Sequence, residues 1–345
     1  MACTSEDLFR SLVEHALRCV EAAAAELGGP EPDVSAVREG GWTRVKELGH
    51  LWDSAQVNHL RLLRGLEAED LVFPGYDQDA WVRAQRLDEL PWPRLVEGWR
   101  ADNWRLLHLL ERIEPARRAR PRHPHSLDRI AWQPFSAAEP ASLEDLARDY
   151  IGHLQHHLRR VCPAALPPIQ LPAGLGRARL PLATERLELR PLGEGDLDEL
   201  APILADPEVV RFLPVPPRNR EQTARIIAHF AAHQERHGFS AWAVRERAGG
   251  ALAGWCGLAE LDATGEVELL YCLGRHAWGR GLAGEAALAC VEQARGALGL
   301  PRLLAVVDPA NLASRRVLEK CGLAQRRRRR HFGMELEEWR LDFHA

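Results

Sequence analysis

The sequence predicts two domains: an all-α four-helix bundle followed by an α/β domain with a mixed sheet. Three observations carry this reading. Residues 1–162 hold four segments whose apolar residues recur at helical spacing. A stretch at Pro163–Gly176, PAALPPIQLPAGLG, then brings four prolines and almost no charge, the composition of an extended connector. Beyond it, short alternating runs interleave with helical ones, the pattern of a sheet with crossover helices. At 345 residues the chain is also long for a single core. The expected division is a bundle over 1–162, a linker over 163–180 and the α/β domain over 181–345.

In the bundle, Ser5 to Leu27 is rich in Ala, Leu and Glu and stops at Gly28-Gly29-Pro30. A second helix from about Thr43 to Leu66 carries the stripe Val45, Leu48, Ala55, Leu62, Leu66. The polar stretch FPGYDQDAWVRAQ separates it from a third helix, about Pro93 to Ile113. Arg117 to Pro140, dense in Pro and Arg, reads as a long loop. Ser142 opens the fourth helix through S-x-x-D, a capping box with Asp145 in place of Glu, and that helix continues to about Val161.

The second domain opens with a strand at Leu187–Arg190, then helices near Glu194–Ala205 and Glu221–His237. Strands follow at Trp242–Arg245, Ala251–Leu258 and Val267–Leu273, a helix at Leu282–Leu298, a strand at Leu303–Val307, and a short helix at Ser314–Lys320. Strands near Gln325–Phe332 and Glu337–Asp342 close the domain. The arginine run Arg326–Arg330 falls on the first of these; it reads as a solvated edge, with an acidic-substrate surface as the alternative.

Composition narrows the function. A net charge of −4 gives no reason to expect nucleic acid. No apolar run reaches membrane-spanning length, and the N-terminus MACTSEDLFR lacks a signal-peptide pattern, so a cytoplasmic protein is expected. Seven cysteines without a C-x-x-C pair fit reduced, buried thiols. The oligomeric state is left open, a homodimer included.

In the fourth helix the stripe Leu146, Tyr150, His153, His157, Val161 projects two imidazoles at i and i+4 toward the core. That spacing suits two ligands of one divalent ion, or two hydrogen-bonded core histidines. His50 lies on the second helix, in ELGHLWDSAQVNHL. With GHLWDS and YIGHLQHHLRRV in place, the segment from about Ser5 to Cys162 resembles the DinB-like superfamily, whose bundles carry one histidine on the second helix and an H-x-x-x-H pair on the fourth. The resemblance implies a divalent metal, zinc or nickel foremost, on His50, His153 and His157, with an open coordination position. His156 falls outside that set. Asp53 reads either as a carboxylate orienting His50 or as an exposed helix residue.

From Glu266 to Ala286 the sequence EVELLYCLGRHAWGRGLAGEA passes from an alternating run through a glycine-interrupted turn into a helix. The first N–H groups of a helix lack intrahelical partners and sit at the positive end of its dipole, so small residues there can admit a pyrophosphate. Gly279, Gly281, Ala283 and Gly284 are small, and Ala287, Val291, Ala294 and Leu298 form the stripe that anchors the helix. Upstream, Glu266 and Glu268 share one strand face. Such turns are also common without a ligand.

Together with ATERLELRPL at Ala183–Leu192 and VVDPANLASRRVLEKCGL at Val306–Leu323, this stretch resembles the GNAT superfamily of acyl-CoA-dependent N-acyltransferases, in its RimJ/RimL-like branch, over about half the chain. The resemblance implies acetyl-CoA as cofactor, held by Trp278, Gly279, Arg280, Gly281, Leu282, Ala283 and Gly284 and by the Asn311 side chain on the pantetheine arm. It implies Glu268 as general base, directly or through a water, with Glu266 the fallback or a strand-end carboxylate. The tyrosine that protonates the leaving thiolate in many relatives is here Leu318, which passes that role to Ser314, to water or to nothing; Ser314 reads equally as a helix cap. Trp278 stands where the wider superfamily has Gln or Arg.

The first expectation is therefore an acetyl-CoA-dependent N-acetyltransferase acting on a primary amine, a protein N-terminus or a small molecule, fused to a metal-binding bundle. The alternatives are a metal-dependent thiol transferase or hydrolase centred on the bundle, with the second half regulatory, and a non-catalytic pairing in which one domain recognises a partner.

Overall fold

The computed structural model describes residues 3–29, 42–162, 166–167, 170–172, 175–261 and 264–343. Pro30 of the expected helix stop and parts of the Pro163–Gly176 connector lie outside them. The chain divides into two compact units, Phe9–Gln170 and Leu171–Ala345, the latter taking in the N-terminal residues up to Leu8.

The first unit contains α1 (Ser5–Leu27), α2 (Arg44–Glu67), α3 (Gln78–Gln85), α4 (Trp92–Arg112), α5 (Pro115–Ala119), α6 (Leu127–Ile130) and α7 (Leu143–Val161). The long helices α1, α2, α4 and α7 are the four expected from periodicity. Their stripes meet in one core that includes Leu12 and Ala16, Leu48 and Leu62, Trp99 and Leu106, and Tyr150 and Leu154. Burial of such side chains stabilises by about 1.5–3 kcal/mol each. Two segments differ from expectation. The polar stretch after α2 forms α3, because Asp77 accepts the Ala80 N–H and starts a helix there. The Arg117–Pro140 stretch holds α6 and is tied down by backbone pairing of Arg122 with Ala141 and of Leu71 with His125, which local composition does not announce.

The second unit contains β1 (Leu182–Ala183), β2 (Leu187–Pro191), α8 (Leu197–Ala205), α9 (Pro207–Val210), α10 (Arg220–His237), β3 (Ala241–Glu246), β4 (Leu252–Glu260), β5 (Val267–Leu273), α11 (Leu282–Glu292), β6 (Arg302–Val307), α12 (Leu312–Lys320), β7 (Ala324–His331) and β8 (Met334–Asp342). They build one eight-stranded sheet in the order β1-β2-β3-β4-β5-β6-β8-β7. Every pair is antiparallel except β5 with β6, which register only at Glu268 and Leu304. One face packs Leu269, Leu273 and Leu303 against Ala286, Ala287 and Leu318 of the crossover helices. The other packs Trp255 and Cys272 against Leu200, Ile203 and Phe230. The stripe Ala287, Val291, Ala294, Leu298 is buried throughout, although the α-helix gives way to a π turn over Gln293–Ala297.

The arginine run on β7 is not simply a solvated edge. Arg327 reaches Glu338 at 3.1 Å and Arg328 reaches Glu337 at 3.4 Å, so β8 supplies carboxylates on both faces of the pair. Among the described residues no helix is long and apolar enough to cross a membrane.

The capping box on α7 is complete. Ser142 Oγ accepts the Asp145 N–H at 3.1 Å, and Asp145 Oδ2 accepts the Ser142 N–H at 3.0 Å. Ser142→Ala is expected to destabilise the bundle by about 1 kcal/mol, measured as the shift of its own transition in urea unfolding.

Candidate functional sites

The imidazoles of His50 on α2 and of His153 and His157 on α7 converge in the bundle core. One ring nitrogen from each lies within 4.8 Å of the others, and His50 Nε2 is 3.0 Å from His153 Nε2. Nitrogens sharing one ion at about 2.0–2.1 Å stand about 3–3.5 Å apart, so the spacing suits a shared ligand. The outer nitrogen of His157 settles its tautomer. His157 Nδ1–H donates to Glu47 Oε1 at 2.7 Å, and Arg160 holds the same oxygen at 3.2 Å, leaving the His157 Nε2 lone pair inward. His153 Nδ1 faces Ser54 Oγ at 3.3 Å. Among the described residues His50 Nδ1 has no hydrogen-bond partner. Burial, and then the neighbouring His157, brings the His50 pKa down to about 4, while burial pushes that of His153 well below the usual range. Neutral imidazoles are the ligand form, and the donor set fits a divalent ion.

Asp53 does not orient His50. It is buried, and its Oδ1 accepts from Gln85 Nε2 at 2.8 Å. The orienting carboxylate is Glu47 on α2, and the imidazole it orients is that of His157 on α7. Trp42 and Trp132 add aromatic walls, with ring centroids 5.4 Å from His50 and 6.1 Å from His153 respectively. His156 sits at the edge, 5.2 Å from the Trp132 ring.

In the second unit, β5 runs into a turn that reverses at Gly279 and Gly281, with φ of 70° and 76°, a region closed to most side chains. Gly281 is the N-cap of α11 and offers no side chain to its first N–H groups. A Cβ on Gly279 or Gly284 would meet nothing within 4 Å, so both backbones face open space. The turn is braced from outside that space. Trp278 Nε1 donates to Leu273 O at 2.7 Å, Arg280 pairs with Glu246 at 2.5 Å, and Arg186 bridges Arg280 O and Glu285. Leu282 and Ala283 pack inward and offer only their N–H groups to a ligand. The local positive charges are therefore matched by carboxylates, and the uncapped N–H groups form the anion-attracting feature.

Beyond Glu268 and Leu304, β5 and β6 part. The β5 edge from Leu269 to Leu273 has no registered partner on β6. Glu268 stands at the closed end of that gap, opposite Ala259 of β4. Glu266, two residues earlier, is held by Arg302 Nε at 2.8 Å. Asn311 caps α12 by accepting the Ser314 N–H at 3.1 Å, which leaves its Nδ2 group for other partners.

Residues 186–324 match the acetyltransferase (GNAT) domain family, and residues 6–161 match the DinB superfamily. The chain is 33% identical over 142 residues to an uncharacterized N-acetyltransferase p20 of Bacillus licheniformis, spanning 40% of this chain and 78% of that one. The chain belongs to the GNAT acetyltransferase family. It is also 28% identical over 165 residues to an uncharacterized protein YkkB of Bacillus subtilis, spanning 47% of this chain and 91% of that one. Among solved structures, an acetyltransferase from Agrobacterium tumefaciens shares 29% identity over 46% of this chain and 92% of its own, with a TM-score of 0.42.

Within this GNAT domain, Leu318 is 1% exposed and packs in the core, so α12 presents an aliphatic group there. The sequence reading passed over Tyr271, whose Oη donates to the Ser314 carbonyl at 3.2 Å. It also passed over Glu285, which binds Thr184 Oγ1 at 2.5 Å and the Arg186 N–H at 2.8 Å, fixing α11 to the β1–β2 turn.

Two outcomes follow. Glu47→Gln is expected to weaken divalent-metal binding about 10–100-fold by chelator competition, and Asp53→Asn to leave it nearly unchanged. His15 and His50, both brought from 6.5 to about 4 with burial as the largest cause, are neutral when folded and take protons when unfolded. Their contribution to the metal-free bundle is therefore complete above pH 6.5 and is lost as pH falls toward 4, which denaturant midpoints measured across that window will register.

Proposed function

We propose that the C-terminal domain transfers an acetyl group from acetyl-CoA to a primary amine, either a protein N-terminus or a small molecule, and that the bundle in front of it binds a divalent metal. The observation that carries the first part is a coincidence of position: the parted edge of β5 runs out at Leu273, the end of the strand from which the chain leads to the uncapped N-terminus of α11. A pyrophosphate suits the N–H groups from Gly279 to Gly284. An extended arm with two amides suits the free β5 edge, where it pairs as a short strand would, with Asn311 Nδ2 as a further donor.

Glu268 is the base in this reading. The amine nitrogen attacks the thioester carbon, Glu268 takes its proton directly or through a water, and the tetrahedral adduct collapses with loss of the thiolate. Positioning along the gap provides much of the acceleration. Ser314, in the first turn of α12, is in this reading the group assigned to the leaving thiolate.

For the bundle, His50, His153 and His157 are the ligands, with Glu47 and Ser54 fixing His157 and His153. A divalent ion held by these three imidazoles would supply the Lewis acidity that makes a water or a thiol nucleophilic. The convergence of three buried imidazoles favours, as a second reading, thiol transfer or hydrolysis at the bundle with the other half regulatory.

Calorimetric titration with acetyl-CoA tests the first reading. Native protein is expected to bind saturably and Gly281→Val to lose that binding, because valine disfavours a φ of 76°. Glu268→Gln is expected to retain acetyl-CoA affinity while kcat falls about 10²–10⁴-fold. No binding by the native chain sinks the reading, and activity that disappears with the metal, or with His153→Ala, moves the chemistry to the bundle.

A further inference from the structure

We propose that the last turn of α10 carries a second divalent-metal site, within the acetyltransferase unit, with His233 and His237 as its two protein ligands and water in the remaining positions. The residues concerned are used by neither the acetyl-CoA reading nor the bundle reading.

The run HFAAHQERHGF sets histidines at 229, 233 and 237, one turn apart along one face of α10. Their surroundings differ. His229 is exposed, His237 is half-buried and His233 is only 6% exposed. The His233 and His237 rings are 4.5 Å apart between centroids, against 6.5 Å for His229 and His233, so the last two form the pair. In the bundle, His153 and His157 share the same i, i+4 spacing and the same 4.5 Å between centroids.

The nitrogens decide what the pair can do. Gly238, at φ 80°, ends the helix directly after His237 and turns the chain back beneath it. His233 Nδ1–H then donates to the Phe239 carbonyl at 2.8 Å, which fixes the proton on Nδ1 and leaves Nε2 as a lone pair. That Nε2 is buried and, among the described residues, has no hydrogen-bond partner. A buried acceptor without a donor is costly, and a carbonyl on one ring nitrogen with a bare lone pair on the other is how metal-bound imidazoles are held.

Electrostatics leaves the pair receptive. Burial, and then the neighbouring His233, brings the His237 pKa down to about 4, and burial lowers that of His233, so both rings are uncharged at neutral pH. Arg236 is the nearby cation that opposes an ion, but it is exposed and screened by water. The last-turn carbonyls place the negative end of the α10 dipole at the pair. Two nitrogen donors select zinc, nickel or copper over magnesium and calcium, which take oxygen. Through the Phe239 carbonyl, an ion on His233 braces the connection from α10 into β3.

The test is calorimetric titration of the tag-free full chain with zinc at neutral pH. Native protein is expected to bind two ions, His153→Ala one, His237→Gln one and the double variant none. Chelation makes the second bond intramolecular, so His237→Gln is expected to weaken the α10 site about 10²-fold or more, while His229→Gln leaves it unchanged. Copper(II) on His153→Ala, read by electron paramagnetic resonance, is expected to show two imidazole nitrogens, which interrogates the site with α10 unaltered. The proposal is overturned by His237→Gln titrating like native protein, by His153→Ala binding no zinc, by a loss that follows His229 instead, or by fewer than two nitrogens on copper. If His237→Gln fails to fold, the nitrogen count decides; if His153→Ala fails to fold, the stoichiometry of His237→Gln against native protein decides. A native chain binding one ion, kept in His153→Ala and lost in His237→Gln, supports this site and removes the metal from the bundle.

Discussion

The acetyltransferase half depends on one constraint, the parallel pairing of β5 with β6. Antiparallel neighbours can be joined by a tight turn, but parallel ones need a crossover, and here the crossover is α11. Because α11 must start where β5 ends, its uncapped N–H groups arrive beside the open edge of the same strand. The anion-attracting turn and the amide-pairing edge therefore come as one feature. The glycines follow from it. The connection from Leu273 to Leu282 takes positive φ at Gly279 and Gly281, which glycine adopts without steric cost, just ahead of the exposed N–H groups.

The bundle solves a different problem. Three imidazoles in an apolar core lose their solvation, and two facing Nε2 atoms 3.0 Å apart cannot both carry a proton. The protein answers by orienting the outer nitrogens. Glu47 takes the His157 proton and Arg160 balances Glu47, so the buried carboxylate does not add an uncompensated charge. His50 and His153 face each other through Nε2 at 3.0 Å, so one of the two carries the shared proton and the other offers its lone pair.

What the sequence disclosed divides along the same lines. Helices α1, α2, α4 and α7 were legible because burial follows a 3.6 period, and β5 because it alternates. The triad and the glycine turn were legible because their spacings are local or match a family motif. Glu47 with His157, 110 residues apart, was not, nor was Tyr271 with Ser314, 43 apart. Either partner alone looks like an ordinary helix or strand residue; the meaning lies in a contact that only the packed fold makes. The arginine strand lies at the sheet edge as expected, with Arg326, Arg328 and Arg330 exposed; what its sequence did not announce is that β8 brings Glu337 and Glu338 alongside.

Those carboxylates bear on the site as well. Adjacent residues on a strand face opposite ways, so Glu337 and Glu338 anchor β7 on both faces of the sheet. Glu337 also receives Arg315 of α12 at 3.2 Å. Tyr271 of β5 holds the preceding residue of that helix through its carbonyl. The helix that presents Asn311 and Ser314 is thus fastened to strands lying on either side of β6, at successive positions of its first turn. Beyond Glu268 and Leu304 the two strands are not held together by pairing with each other. Fastening the helix to β5 on one side and to β8 on the other lets the gap stay open while the groups at its edge stay in place.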